Sequence, residues 1–359
     1  MKRKIILISL FSVFSVYSMA QQLTFSPAVE KQSSEDTSKK VIAQLWEDYI
    51  HSLRDELPDS IQKSFWYKGS EDMMKGIPPT NFYQSGGNLF TFDIRKYSDS
   101  IYEIHSLQQI ITPENPVILY IYKVCAIETG GTFKLLNFFD AFKYTLQNYN
   151  SENVEFYYPC EFNFDIEKVE ATEKFIKQFR NDYNLKKTEK KIVCIIGNSF
   201  NESSSFMGFN FIIGADESRS AAMYQFPRTI LTQRQDHIHE FVHALIVPAY
   251  PAILDVLNEG IATYYGGTSG FEYVYHRNNL KKYISENPFD FSESSLFYTI
   301  KIGQEKTQLY YIIGALIIEY TLKNHGISKV IELFSYKDYL DIYSKLGIKP
   351  DDIVRFLLN

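Results

Sequence analysis

Two histidines and two glutamates of this 359-residue chain stand at spacings that suit a metal ion. His239 and His243 occupy positions i and i+4 of a His-Glu-x-x-His signature, so on a helix both imidazoles share one face. Glu259 follows on a second stretch with helical spacing and completes the three protein ligands that a catalytic zinc ion takes. Glu240, beside the first histidine, can reach a water at the fourth position and act as its general base. The sequence therefore predicts about one Zn²⁺ ion per chain, bound by His239, His243 and Glu259.

A predicted helix over residues 232–247 must position the two histidines. Thr232 and Gln235 match a capping box at its start, and Pro248 should end it. The positions that face inward are apolar: Ile238, Phe241, Val242 and Leu245. His237 lies two residues before the first ligand, hence on another face, and is predicted not to bind the metal.

A second predicted helix carries Glu259. Gly260 and Ala262 are small, so we expect them to let this helix pack closely on the helix of the histidines. Asp255 lies one turn before Glu259 and could support a ligand histidine. A charge that suits the N-terminus of a helix is the simpler interpretation of Asp255.

The two motifs together resemble those of a known family. His239-Glu-Phe-Val-His243, followed by Asn258-Glu-Gly-Ile-Ala-Thr-Tyr264, is similar to the gluzincin metallopeptidases, and most of all to their peptidase MA-like members. The resemblance covers roughly residues 152–359. It implies a zincin-like (thermolysin-like) catalytic domain with a mostly helical C-terminal part, and a peptide or protein substrate.

A third motif carries a further implication of this resemblance. The spacing Tyr311 to Gly314 resembles an element in which a tyrosine helps to hold the oxyanion. Because Tyr310 and Tyr311 adjoin, only one of them can face the cleft, and the sequence leaves both open as the catalytic tyrosine. His276 and His325 are alternative donors to the oxyanion.

The catalytic domain is predicted to span residues 151–359. Apolar runs predict strands at 156–164, 192–196, 209–213 and 224–232, with a helix at 165–181. An edge strand ahead of the ligand helix would pair with an extended substrate, and both 209–213 and 226–231 are candidates. A long apolar helix from residue 308 should end at Gly326.

The residues before this domain predict an α+β accessory domain at 38–150, so the fold class of the whole chain is α+β. One helical pattern at 38–57 precedes four strand-like runs, with a hairpin turn at Thr129-Gly-Gly131. A helix followed by an antiparallel sheet resembles the layout of NTF2-like folds. Residues 21–37 are polar and are predicted to be a flexible lead-in.

The first twenty residues predict export. Lys2, Arg3 and Lys4 precede a short apolar run, and Ser18-Met-Ala20 is a small-x-small cleavage pattern. Cleavage of this signal peptide (residues 1–20) would release a periplasmic or extracellular protein that begins at Gln21 and has no membrane span; the alternative is a single N-terminal anchor.

The three cysteines do not suit a disulfide framework, because an odd number leaves at least one thiol free. Cys125, Cys160 and Cys194 lie in or beside strand-like runs, so each is predicted to be a small buried side chain.

Composition narrows the possible partners. The net charge is −6 and no long basic block occurs, so nothing indicates nucleic-acid binding. The function predicted is an exported, zinc-dependent metallopeptidase. The alternatives are a binding or structural protein on a gluzincin scaffold that has lost catalysis, and a zinc hydrolase that does not act on peptides. The four intact residues of the two motifs argue against lost catalysis.

Overall fold

The computed structural model describes residues 23–70, 88–111, 115–213, 222–225, 228–287, 290 and 297–359. The predicted signal peptide and its cleavage point lie outside these residues. The chain divides into two compact units, and the main passage from the first to the second lies between Leu136 and Asn137, ahead of the predicted boundary at residue 150. Gly69 and Ser70 also belong to the second unit. Residues 211–213 return to the first unit.

The first unit begins with a strand and a helix where the sequence predicts a flexible lead-in. Strand β1 (Leu23–Phe25) pairs in parallel with β2 (Asn88–Lys96), and helix α1 spans Pro27–Glu35. The hydroxyl of Ser26 caps this helix by accepting the N–H of Val29 at 3.2 Å. The polar composition of residues 21–37 indicated flexibility. It could not indicate that β1 pairs with β2, which lies far away along the chain.

The rest of the first unit is a helix on a curled, half-barrel sheet. Helix α2 (Thr37–Arg54) begins where the Asp36 carboxylate accepts two backbone N–H groups, and a short helix α3 (Asp59–Ser64) follows. Strand β2 continues in antiparallel order through β3 (Ile101–Ile111), β4 (Pro116–Thr129) and β5 (Thr132–Leu136). Trp46 of α2 is fully buried and donates its indole N–H to Thr91 of β2 at 3.1 Å.

A mixed sheet of five strands forms the middle of the chain and belongs to the second unit. The described elements here are α4 (Phe138–Phe142), β6 (Gln147–Asn150), β7 (Val154–Tyr158), α5 (Ile166–Asp182), β8 (Ile192–Ile196), α6 (Phe200–Ser205), β9 (Phe209–Ile212), β10 (Met223–Gln225) and β11 (Thr229–Thr232). The strand order is β10-β11-β8-β7-β6, with β8 parallel to both of its neighbours. All five residues of β8 are apolar and buried, as a central parallel strand requires.

The edge strand on the β11 side of this sheet is neither of the two predicted candidates. Strand β11, which overlaps the predicted run 226–231, pairs with β10 on one side and with β8 on the other. The other candidate, β9, is not part of this sheet: it pairs with β4 in the sheet of the first unit, to which residues 211–213 belong. Among the described strands, β10 is the outermost strand next to β11. The apolar runs indicated strands but could not indicate their order across the sheet.

The C-terminal part is largely helical, as predicted. Its elements are α7 (Ile238–Ile246), α8 (Asp255–Gly266), α9 (Tyr273–Glu286), the hairpin of β12 (Lys301–Ile302) and β13 (Thr307–Gln308), α10 (Leu309–His325), α11 (Ile327–Leu333), α12 (Tyr339–Leu346) and α13 (Pro350–Leu358). Helix α10 is apolar and buried over most of its length and ends at Gly326, whose φ is +78°. Within the described ranges, no helix has both the length and the apolar character that crossing a membrane requires.

The three cysteines are free thiols. Cys125 and Cys194 are buried, as predicted, and burial raises the pKa of both thiols. Cys160 is exposed, so the prediction of a buried side chain is wrong there. It lies in the turn after β7, where the strand pattern has already ended.

Candidate metal centre

Helix α7 carries both histidines but begins six residues later than the capping pattern indicates. Thr232 is the last residue of β11, and its hydroxyl is 2.9 Å from Nδ1 of His237, which precedes the helix. Gln235 donates to the carbonyl of Asp165 instead of capping a helix. Burial lowers the pKa of His237 to about 3, so this ring stays neutral at physiological pH.

The three predicted ligands converge. His239, His243 and Glu259 each offer one ligand atom within 4.8 Å of the other two. Oε2 of Glu259 lies 3.2 Å from Nε2 of His239 and 3.3 Å from Nε2 of His243. Both histidines are buried, and Glu259 is partly buried. Two imidazoles and one carboxylate form a donor set that zinc accepts, so this group could hold a metal ion.

The three residues shift one another's pKa values. Burial alone would lower the pKa of His243, but the carboxylate of Glu259 raises it to about 9. Burial alone would raise the pKa of Glu259, but the two imidazoles hold it well below its ordinary value. Glu259 is therefore ionised, and in the absence of a metal the protonated His243 ring offsets its charge in this buried place.

Each histidine is oriented by a hydrogen bond on its far side. Nδ1 of His239 donates to the carbonyl oxygen of Gly267 at 2.7 Å, and Nδ1 of His243 donates to Oδ1 of Asn258 at 2.9 Å. These bonds leave both Nε2 atoms directed at Glu259. The sequence pattern indicated neither of these two partners. Asn258 could have been found from its place in the second motif, whereas a backbone carbonyl such as that of Gly267 leaves no signal.

Asp255 is not seen to support a ligand histidine. It is exposed at the first position of α8, where a negative charge suits the N-terminus of a helix.

Glycines bring the ligand helices together, but not the glycine that the sequence indicated. An added Cβ at Gly266 would lie 2.6 Å from the Cα atom of His239, so Gly266 is where α8 meets α7. An added Cβ at Gly260 would instead lie 2.6 Å from the Cα atom of Gly314 in α10. The helical spacing around Glu259 could not tell which neighbour each face of α8 would contact.

Glu240 is buried in the first turn of α7, between the two ligands. Its charge contributes to the raised pKa of His243 and to that of Tyr311. The Glu240 carboxylate is therefore close enough to interact electrostatically with His243, a proposed ligand, and with Tyr311.

The two adjoining tyrosines differ in position. The ring of Tyr311 stacks on His239, with ring centroids 6.0 Å apart. The ring of Tyr310 lies against Tyr311 and stacks on Tyr298, which is exposed. Burial, followed by the charge of Glu259, raises the pKa of Tyr311 well above its ordinary value, so its hydroxyl keeps its proton.

A further tyrosine beside the group has no counterpart in the sequence prediction. The ring of Tyr224, on β10, stacks on His243 with centroids 6.4 Å apart. Burial raises the pKa of Tyr224. Only the order of strands in the sheet places this residue next to α7, so no local pattern could have indicated it.

The two other histidines are not placed as donors to an oxyanion. His276 is fully buried, and its Nε2 atom donates to the carbonyl oxygen of Thr268 at 2.9 Å. His325 is exposed at the last position of α10. Fourteen residues of helix separate it from Tyr311, which corresponds to roughly 21 Å at 1.5 Å per residue.

A comparison with known proteins adds no relative: no protein family matches this chain, and no curated protein matches it.

Proposed function

We propose that this chain is an exported zinc metallopeptidase of the gluzincin type. The observation that carries the proposal is the convergence of His239, His243 and Glu259, with Glu240 on the same helix as the two histidines. The zincin-like fold of the second unit and the NTF2-like layout of the first are parts of this proposal. When bound, a zinc ion would supply a Lewis acid and an open position at which water becomes a nucleophile near neutral pH.

The residues of the chain then have separate roles in hydrolysis. His239, His243 and Glu259 would hold the ion, and the hydrogen bonds that the two imidazoles donate to Gly267 and Asn258 keep the rings in place. Glu240 takes the proton of the attacking water and delivers it to the leaving amine.

Tyr311, rather than Tyr310, is the proposed donor to the oxygen of the scissile carbonyl, because its ring stacks on a ligand. The raised pKa of Tyr311 supports this role, since a donor must keep its proton.

The position of β10 supports a peptide as the substrate. This strand is the outermost described strand of its sheet next to β11, and its Tyr224 stacks on His243. An extended peptide that lies along β10 would therefore pass the metal group. Export to the periplasm or beyond is also part of the proposal, and the observations that support it are the basic start, the apolar run and the Ser18-Met-Ala20 pattern.

The test combines metal analysis with a peptide-library cleavage assay on the purified protein. Wild-type protein should contain about one zinc ion per chain. Glu240→Gln should keep the zinc while hydrolysis falls by roughly 10³-fold or more, because the proton acceptor is gone. Tyr311→Phe should lower turnover by roughly 10²-fold, as for one oxyanion donor. Tyr310→Phe removes only a hydrogen-bond partner of Tyr311 and should lower turnover much less.

The outcomes separate the alternatives. Wild-type protein that binds zinc but cleaves no peptide would leave a zinc hydrolase of another class or a protein without catalysis. Cleavage by Glu240→Gln at the wild-type rate would refute the proposed mechanism. Loss of activity in Tyr310→Phe but not in Tyr311→Phe would reverse only the assignment of the tyrosine.

A further inference from the structure

His276 is a buried ionisable residue that the proposed mechanism does not use. It lies in α9 and is fully buried, and its Nε2 donates to the Thr268 carbonyl at 2.9 Å. Its Nδ1 makes no hydrogen bond but lies within ion-pair distance of Glu305, 3.5 Å from Oε1. Burying such a group is costly unless its polar atoms have partners, so each partner of His276 matters for the local structure.

Glu305 is held in turn by several donors. The hydroxyl of Tyr275 donates to Oε2 at 3.1 Å, and the hydroxyl of Thr307 and the amide of Asn279 each lie 3.4 Å from Oε1. Glu305 belongs to the turn between β12 and β13, while Tyr275 and Asn279 belong to α9. This cluster therefore ties one side of α9 to that turn and fixes the carboxylate that faces His276.

The carbonyl that His276 contacts belongs to the loop that orients a proposed metal ligand. Residues 267–272, here called the support loop, connect the end of α8 to the start of α9. Gly267 accepts the Nδ1 proton of His239 at 2.7 Å, and Thr268 is the next residue. Thr268 and Phe271 close the loop with two backbone hydrogen bonds of 3.0 Å each. His276 therefore acts on the peptide next to the one that orients His239.

We propose that His276 and Glu305 are positioning residues for the metal site. They hold the support loop so that the carbonyl of Gly267 points at Nδ1 of His239, which in turn directs Nε2 of that ring into the site. Neither residue binds the metal or the substrate. This inference rests on the proposed function, because it assumes that His239 is a ligand.

A second polar cluster on the same helix provides a matched control. Tyr273, also in α9, is buried and donates its hydroxyl to Oε2 of Glu319 in α10 at 2.7 Å. This bond ties α9 to α10 without touching the support loop. Tyr273→Phe should therefore reduce the stability of the fold and leave the metal site unchanged.

The experiment measures zinc affinity by competition with a chelator, alongside unfolding in urea. His276→Leu keeps much of the side-chain volume but removes the donor to Thr268, and should weaken zinc binding by roughly 10-fold to 100-fold. His276→Gln offers an amide donor near the position of Nε2 and should restore most of the affinity. Asn258→Leu, which removes the direct acceptor of the other ligand, is the positive control and should fall in the same range.

A second variant and a spectroscopic measurement provide independent tests of the positioning role. Glu305→Gln removes the charge that faces His276 and tests the same link if His276→Leu does not fold. The visible spectrum of the cobalt-loaded protein reports ligand geometry and should change in His276→Leu but not in Tyr273→Phe.

The outcomes separate this inference from the function on which it rests. Wild-type zinc affinity and an unchanged cobalt spectrum in both His276→Leu and Glu305→Gln would overturn the positioning role alone. Equal weakening by Tyr273→Phe would also overturn it, since the effect would then be one of general stability. Failure of the wild-type protein to bind zinc or cobalt would instead refute the proposed metal site.

Discussion

Replacing Gly266 by alanine would place a methyl group against the backbone of His239. The added Cβ would lie 2.6 Å from the Cα atom of His239 and 2.9 Å from the carbonyl carbon of Ile238. The backbone nitrogen of His239 would be closer still, and ordinary van der Waals contact begins at 3.4 Å, so the backbone at His239 would have to move by at least about 0.8 Å (3.4 − 2.6). Metal sites tolerate about 0.2 Å in their ligand distances. The substitution should therefore displace a ligand by more than the site accepts.

Two quantities should change in Gly266→Ala, and they can be measured separately. Overpacking of this kind costs about 1–3 kcal/mol of the free energy of unfolding, which urea denaturation in the presence of a chelator reports. Zinc affinity should fall by about 100-fold or more, because the variant moves a ligand itself rather than a residue that orients one. A chelator competition assay measures the second change.

Gly197→Ala is the matched control for this prediction. Its added Cβ would lie 2.9 Å from the carbonyl oxygen of Ser199 and 3.0 Å from Cβ of Glu202, so the crowding falls on the turn after β8 and on none of the three proposed ligands. It should lose a similar amount of stability and keep its zinc affinity. If Gly266→Ala lost stability as Gly197→Ala does but bound zinc as tightly as the wild type, the contact between α8 and α7 would not be what places His239.

Two other predictions concern pH and export. In chelator-treated protein, Glu259 raises the pKa of His243 from 6.5 to about 9 against the effect of burial, so the stabilisation by this pair is complete below pH 6.5 and is lost as pH rises through about 9. Urea denaturation should show a loss of at most about 3 kcal/mol between these pH values, and a flat profile there would contradict the ion pair. Protein recovered from the medium or the periplasm should begin at Gln21 on N-terminal sequencing, whereas a mature chain that begins at Met1 would contradict cleavage of a signal peptide.

The ligand group could be predicted because each of its signals is local. The spacing of His239 and His243 places both rings on one face of any helix, and the helical pattern around Glu259 supplies a third donor. The start of α7 could not be predicted in the same way. Thr232 and Gln235 fit a capping box, but pairing with β8 extends β11 through Thr232. The residue types of a capping box are therefore present, but strand pairing determines the backbone conformation at Thr232.

The remaining parts of the site depend on contacts between distant segments. Tyr224 reaches His243 only because β10 lies outside β11, and the sequence contains no record of strand order. The carbonyl of Gly267 orients His239 through the backbone, where residue type leaves little trace. The sequence offers His276 as an alternative donor to the oxyanion, but the burial that turns it toward Thr268 is a property of the packed helices.

The contact between Gly260 and Gly314 has a consequence for how such a site can change over generations. The backbones of α8 and α10 are in contact there. Because the side chain of each glycine is a single hydrogen atom, the distance between the two helices does not depend on the sizes of larger side chains. Glu259 is the neighbour of one glycine, and Tyr311 lies one helical turn before the other. Under the proposed function, mutations among the surrounding side chains could alter substrate preference while the separation of these two residues stays the same.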